Sequence, residues 1–293
     1  MIPFVKGHGL GNDYLVLNGS DLDFPLTPLA VQRLCHRNWG IGSDGILLLA
    51  DSPHAQFGLR IFNPDGSEAE KSGNGLRIFA KYLYERGHAK EPVFRVETLG
   101  GIVECECHLA GDRVASVTVE MGRATFQAPD IPMNGPDRQV VGIPLQVNDH
   151  FLRVTALSVG NPHCVIFRDR LDEAELRRLG PLVEHHPAFP KRTNVQFSKV
   201  EGRDRVAILI WERGAGYTLA SGSSSCAVAA AAVKNGFCDH GRVVVRMPGG
   251  ELMIDVRPDW SLRLRGPVEE VYAGTLSPDL IAALRAGTPI PGA

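Results

Sequence analysis

Apolar and polar positions alternate along this chain in one order that occurs twice. Residues 57–62 and 206–211 read as alternating apolar strands. Each is followed by a turn rich in Gly, Pro, Asp and Ser. Residues 76–85 then read as an amphipathic helix closing at Gly87, a suitable residue just past a helix end. Its counterpart at 225–234 carries no charge before Lys234, and a helix apolar all round is a buried one. Upstream lie entry strands over 4–17 and 152–167, each broken near a Gly-Asn pair, and short helical stretches over 28–38 and 171–179. Downstream come strands over 93–98, 102–109 and 114–120, matched by 242–247, 252–256 and 261–265. Gly100-Gly101 and Gly249-Gly250 are placed as the hairpin turns between them.

The two series share one offset. Ser72-Gly73-Asn74 lies 149 residues before Ser221-Gly222-Ser223, and the same offset relates Gly11-Asn12 to Gly160-Asn161, Gly87 to Gly236, and Gly100-Gly101 to Gly249-Gly250. A period this long is a duplicated domain, since solenoid repeats run at roughly 20–50 residues. The expected fold is α/β (α+β) with two pseudo-symmetric domains, each a curved, largely antiparallel sheet around a central helix. Residues 1–121 with 269–293 form the first domain, and 122–268 the second, with the boundary in the proline-containing stretch around Pro129, Pro132 and Pro136.

Composition narrows the function more than the fold. A charge balance of −2 gives no basic excess to attract nucleic acid or an anionic membrane. No run approaches the ~18 apolar residues of a membrane span, and the chain opens into strand rather than a signal-peptide core. The expected location is the cytoplasm, and a homodimer is left open as the assembly. The six cysteines show no CxxC, and neither Cys105-Glu106-Cys107 nor His185-His186 is accompanied by the further ligands zinc would need. No metal site and no cofactor is expected.

The chemistry is expected at the repeated Ser-Gly motifs. A helix N-terminus leaves backbone N–H groups unpaired and carries the positive end of the helix dipole. Ser72 and Ser221 are good N-caps in their own right. Repetition of the motif also fits a shared site, where Gly73, Asn74, Gly222 and Ser223 would present N–H groups to an anion such as a substrate carboxylate. Neither segment matches a nucleotide-binding glycine motif, so phosphate is the weaker candidate. Asn12, Asn63, Asn161 and Asn194 stand at strand–loop junctions, where asparagine usually serves a turn. Together with Glu212 and Arg213 they could bind the polar end of an amino acid, with Arg213 on a carboxylate and Glu212 on an ammonium.

Several of these segments resemble the diaminopimelate epimerase family across essentially the whole chain. They are His8-Gly9-Leu10-Gly11-Asn12-Asp13, Phe62-Asn63-Pro64-Asp65-Gly66-Ser67, Gly73-Asn74-Gly75-Leu76-Arg77, Gly160-Asn161-Pro162-His163-Cys164, Trp211-Glu212-Arg213-Gly214-Ala215-Gly216 and Pro248-Gly249-Gly250. The resemblance implies a pyridoxal-independent epimerase with its substrate in a cleft between the domains. It acts at the α-carbon of a small-molecule amino acid, interconverting L,L- and meso-diaminopimelate for lysine and cell-wall synthesis. It also implies that Gly73, Asn74, Gly222 and Ser223 hold the carboxylate at the reacting centre. Asn12, Asn63, Asn161, Asn194, Glu212 and Arg213 would hold the rest of the substrate.

The chain departs from the family pattern at the positions implied to be catalytic. There the family has two cysteines, a thiolate base and a thiol acid, and this chain has Ser72 and Ser221. A thiol ionises near pH 8.5. A serine hydroxyl is far less acidic and needs an adjacent base, for which His163 is the nearest motif residue. Gly45 and Tyr217 stand where some or most members have Gln and Glu. The departures leave an engineered pair or a natural paralogue, the latter isomerising diaminopimelate weakly or in altered fashion, isomerising or eliminating another amino acid, or only binding one.

Overall fold

The computed structural model describes residues 1–290; residues 291–293, expected with the first domain, lie outside the described residues. Two compact units are formed, one from Met1–Val119 with the segment from Gly266 onward, the other from Glu120–Arg265.

In chain order the first unit contains β1 (Pro3–Gly9), β2 (Asn12–Asn18), α1 (Pro28–Cys35), β3 (Ile46–Ala50), β4 (Phe57–Phe62), β5 (Glu68–Ala69), α2 (Gly73–Glu85), β6 (Val93–Thr98), β7 (Gly101–Ala110) and most of β8 (Arg113–Arg123). The second has β9 (Ile143–Val147), β10 (His150–Ser158), β11 (Pro162–Phe167), α3 (Glu173–Glu184), β12 (Asn194–Gly202), β13 (Arg205–Glu212), β14 (Gly216–Thr218), α4 (Gly222–Lys234), β15 (Gly241–Met247), β16 (Gly250–Val256) and most of β17 (Ser261–Pro267). The chain then returns to the first unit as β18 (Glu269–Thr275) and α5 (Pro278–Arg285).

The repeat extends to individual backbone pairings. Leu15 pairs with Ile46 across the parallel β2–β3 ladder, and Cys164 with Val195 across β11–β12, each 149 residues on. Phe57 with Val96 and Val206 with Val245 repeat this for the parallel pairs β4–β6 and β13–β15. No residue has been gained or lost between these pairings. The sheets are therefore mixed: most pairs are antiparallel, but each unit has two parallel pairs, because a helix crosses over between their strands. α1 makes the crossover from β2 to β3, and α2 makes the one from β4 to β6. β18 lies antiparallel to β1 as β9 lies antiparallel to β10, so the chain's last strand fills in the first unit the place of a strand that precedes the repeat in the second.

α2 packs on β1, β2 and β7, and α4 on β10, β11, β12, β13, β15 and β16. Nothing from Ser224 to Val233 is exposed, as the uncharged sequence of α4 requires. On the other face of the second unit Leu176, Leu179 and Val183 of α3 close a core with Val154, Ile166 and Phe197. This apolar stripe continues beyond Pro181, so α3 runs to Glu184 rather than stopping at 179. Packing there outweighs the ~3 kcal/mol that an internal proline costs. Both site helices begin three residues earlier than their apolar pattern, at Gly73 and Gly222 instead of 76 and 225. Their serine caps draw the Gly-containing turn into the helix.

All six cysteines are buried, and none is in a disulfide. Burial pushes the Cys107 thiol up to about 12 and raises Cys105 and Cys164 as well, which leaves them as protonated packing groups. Among the described residues no group of three His, Cys, Asp or Glu side chains could hold a metal ion, and no helix is long and apolar enough to cross a membrane.

Candidate active site

In the first unit Ser72 caps α2 from an extended backbone, and its Oγ accepts the Gly75 N–H at 3.0 Å. A Cβ at Gly75 would lie 3.2 Å from that oxygen and 2.9 Å from Leu47, so the cap needs glycine there. The cap satisfies the third N–H of the helix and leaves those of Gly73 and Asn74 without intrahelical acceptors. Asn74 donates to Asn12 Oδ1 at 3.1 Å, and Asn12 donates to Asp44 at 3.0 Å. These contacts bring two of the expected residues together at the start of α2. Arg77 is fully buried one turn on, where it donates to the Gly73 carbonyl at 3.2 Å and fixes the same turn from behind.

Asp13 anchors this corner. Burial opposes its ionisation, yet Arg37 and Lys6, each 2.9 Å away, hold its carboxyl at about 2. Asn63 is placed differently: in the turn after β4 its side chain donates to Ser67 at 2.9 Å. Two residues that the sequence did not single out also belong to the corner. Asp44 orients Asn12, and the Tyr14 hydroxyl lies 3.3 Å from Ser72 Oγ.

In the second unit Ser221 caps α4, with Oγ accepting the Ser224 N–H at 3.4 Å. Gly222 and Ser223 hold the positions of Gly73 and Asn74. The Glu212 carboxyl, at the end of β13, has the Ser221 side chain as a neighbour that favours its ionised form. Burial outweighs that neighbour and pushes the carboxyl above its ordinary range. A carboxylate with a raised pKa beside a hydroxyl is suited to accept the hydroxyl proton.

His163, the base expected from the motif, is occupied elsewhere. It is fully buried, with one ring nitrogen 2.9 Å from Asn161 Oδ1 and the other accepting from Gln196 at 3.0 Å. Burial, helped by the charge of Arg213, lowers it to about 3, so it is neutral and orients Asn161. Asn194 donates to the Pro162 carbonyl at 2.8 Å and accepts the Arg213 N–H at 3.0 Å, which ties the start of β11 to the turn after β13. The exposed Arg213 guanidinium reaches the Lys191 carbonyl at 3.1 Å. Tyr217 faces α3, with the Arg177 guanidinium 4.2 Å from its ring centroid and Glu173 as a further neighbour. Its role in the fold is to hold β14 against that helix.

The offset of 149 thus pairs Ser72 with Ser221 and Asn12 with Asn161, but Asn63 with Glu212 and Tyr14 with His163. The scaffold is duplicated, and the proton-carrying neighbours differ.

The comparisons with known proteins agree in direction. The diaminopimelate epimerase family model matches residues 4–127 and 155–271. A diaminopimelate epimerase 2 from Nostoc is 52% identical over 283 residues, covering 96% of this chain and 98% of that protein. The diaminopimelate epimerase of Pelotomaculum thermopropionicum is 46% identical over 276 residues, 92% of this chain and 97% of its own. In fold the chain is similar to a probable proline racemase from Agrobacterium radiobacter, with a TM-score of 0.72 at 16% identity over 95% and 94% of the two chains. A hydroxyproline epimerase from Agrobacterium vitis gives 0.69 at 15% identity over 94% and 90%. A duplicated α+β fold, a family model that matches most of the chain and relatives of one name at 46–52% identity lead to one assignment: the chain belongs to the diaminopimelate epimerase family.

Proposed function

We propose that this protein is a cofactor-independent epimerase of diaminopimelate acting in the cytoplasm, with Ser72 and Ser221 as its acid–base pair. The observation that carries the reading is the pair of serine caps at equivalent positions, Ser72 on α2 and Ser221 on α4, the second with the raised Glu212 carboxyl as its neighbour. Inversion at an α-carbon needs one group to take a proton from one face and another to deliver one to the opposite face. As Ser221 takes the α-proton, its own proton passes to Glu212, so no free alkoxide forms. Ser72 gives its proton to the carbon from the other side, and the reverse direction exchanges the roles.

Removal of the α-proton spreads negative charge onto the substrate carboxylate. The N–H groups of Gly73, Asn74, Gly222 and Ser223, at positive helix ends, would stabilise that charge where it grows. Asn12, Asn63, Asn161, Asn194 and Arg213 are assigned to the remainder of the substrate, with Arg213 available to pair with the distal carboxylate. Glu212 moves in this reading from an ammonium partner to the base behind Ser221.

Incubating the protein with L,L-diaminopimelate in D₂O tests the reading. Deuterium is expected at the α-carbon, together with the meso isomer. Binding without exchange would replace the reading with an amino-acid-binding protein.

A further inference from the structure

We propose that Tyr14 is the proton partner of Ser72, the counterpart in the first unit of Glu212 in the second. The inference rests on the epimerase reading above. The Tyr14 hydroxyl lies 3.3 Å from Ser72 Oγ. Ser72 Oγ already accepts the Gly75 N–H, so its orientation toward the phenol is set by the helix cap. Tyr14 is buried and comes from β2, two residues after Asn12, so one strand presents both groups to the start of α2.

The ring has space because of Gly45. A Cβ at that position would stand 2.7 Å from Tyr14 Cε1 and 2.5 Å from the Phe62 carbonyl oxygen. The departure at Gly45 and the tyrosine at 14 are therefore one feature, since a side chain at 45 would displace the phenol from Ser72. In the second unit the matching positions are Asn194 and His163, and the ring of His163 is bonded to Asn161 and Gln196. The two serines accordingly receive different partners.

The chemistry follows from relative acidity. A phenol ionises around pH 10 in water, far below an aliphatic hydroxyl. When Ser72 delivers its proton to the α-carbon, a C–H bond forms, the Ser72 O–H breaks, and the Tyr14 proton moves to Ser72 Oγ. The product on the protein is a phenolate rather than an alkoxide. In the other direction the phenolate takes the Ser72 proton while Ser72 removes one from carbon, and Tyr14 returns to phenol. Tyr14 is thus a positioning and relay residue that acts through Ser72.

The test is a double-mutant cycle in kcat with Tyr14→Phe and Ser72→Cys, alone and together. Phe keeps the ring and removes only the hydroxyl. In the Ser72 protein Y14F is expected to lower kcat for inversion by about 10²-fold. KM should hold, and the alkaline limb of the kcat profile should disappear. In the S72C background, where a thiol ionises near 8.5 without help, the same change is expected to matter less than about threefold. Equal losses in both backgrounds, or no loss in either, would overturn the inference and leave the epimerase reading intact. Absence of inversion by the unmodified protein would overturn both.

Discussion

Glu212→Gln is expected to lower kcat for inversion by about 10²–10⁴-fold, the usual contribution of a general base. The amide keeps the size of the carboxylate beside Ser221, and the cap itself rests on the Ser224 N–H, so the cap survives while the proton acceptor is lost. The pH profile adds a second readout. Burial raises the Glu212 carboxyl in the folded protein, so activity should fall as pH drops through that raised value and the base becomes protonated. E212Q should show no such acid limb. The stability effect has the opposite sign. A carboxyl whose folded pKa is raised costs stability once pH climbs above its unfolded value. Glutamine removes that cost, so urea unfolding near neutral pH should show no destabilisation. Low activity in a protein at least as stable as the original identifies a chemical role.

Asp13→Ala is expected to be the most damaging change to stability, about 3–5 kcal/mol by chemical unfolding. The Asp13 and Lys6 side chains are only 12% and 13% exposed, and the variant leaves the Lys6 ammonium with the Gly42 carbonyl and no counter-ion. The folded carboxyl sits near 2 against an ordinary 3.8. Its contribution is complete above the unfolded value and is lost as pH falls from there through about 2. That difference corresponds to roughly 2–3 kcal/mol at ~1.4 kcal/mol per pKa unit. Unfolding measured between pH 5 and 2 should show this decline in the parent protein and not in D13A. Because Asp13 follows Asn12, the variant should also lose activity by releasing that side chain.

The duplication was legible in the sequence because pairings in the two units keep one offset, so Ser72, Gly73 and the Gly11-Asn12 and Gly100-Gly101 pairs land on their equivalents. The helix starts were legible as Ser-Gly, although their apolar pattern placed them three residues late. An N-cap recruits residues whose own propensity is poor, and hydrophobic periodicity does not register that. The partners of the two serines were hidden for a different reason. Tyr14 reaches Ser72 across 58 positions, and only because Gly45 is empty. For Glu212 the motif points to a substrate ligand, and its distance along the chain says nothing of its neighbour Ser221, which follows the β13–β14 hairpin. His163 stands in a conspicuous motif, yet Asn161 and Gln196 hold both ring nitrogens. Motifs identify the corner of a fold, whereas the direction of each side chain depends on packing from distant strands.

The central claim is that Ser72 and Ser221 each serve one face of the α-carbon. It is tested most directly by following both stereoisomers of diaminopimelate in D₂O with Ser72→Ala and Ser221→Ala. The account predicts that neither variant inverts, that each still exchanges the α-proton of one isomer, and that the favoured isomer differs between them. Inversion at the parent rate by either variant would contradict it.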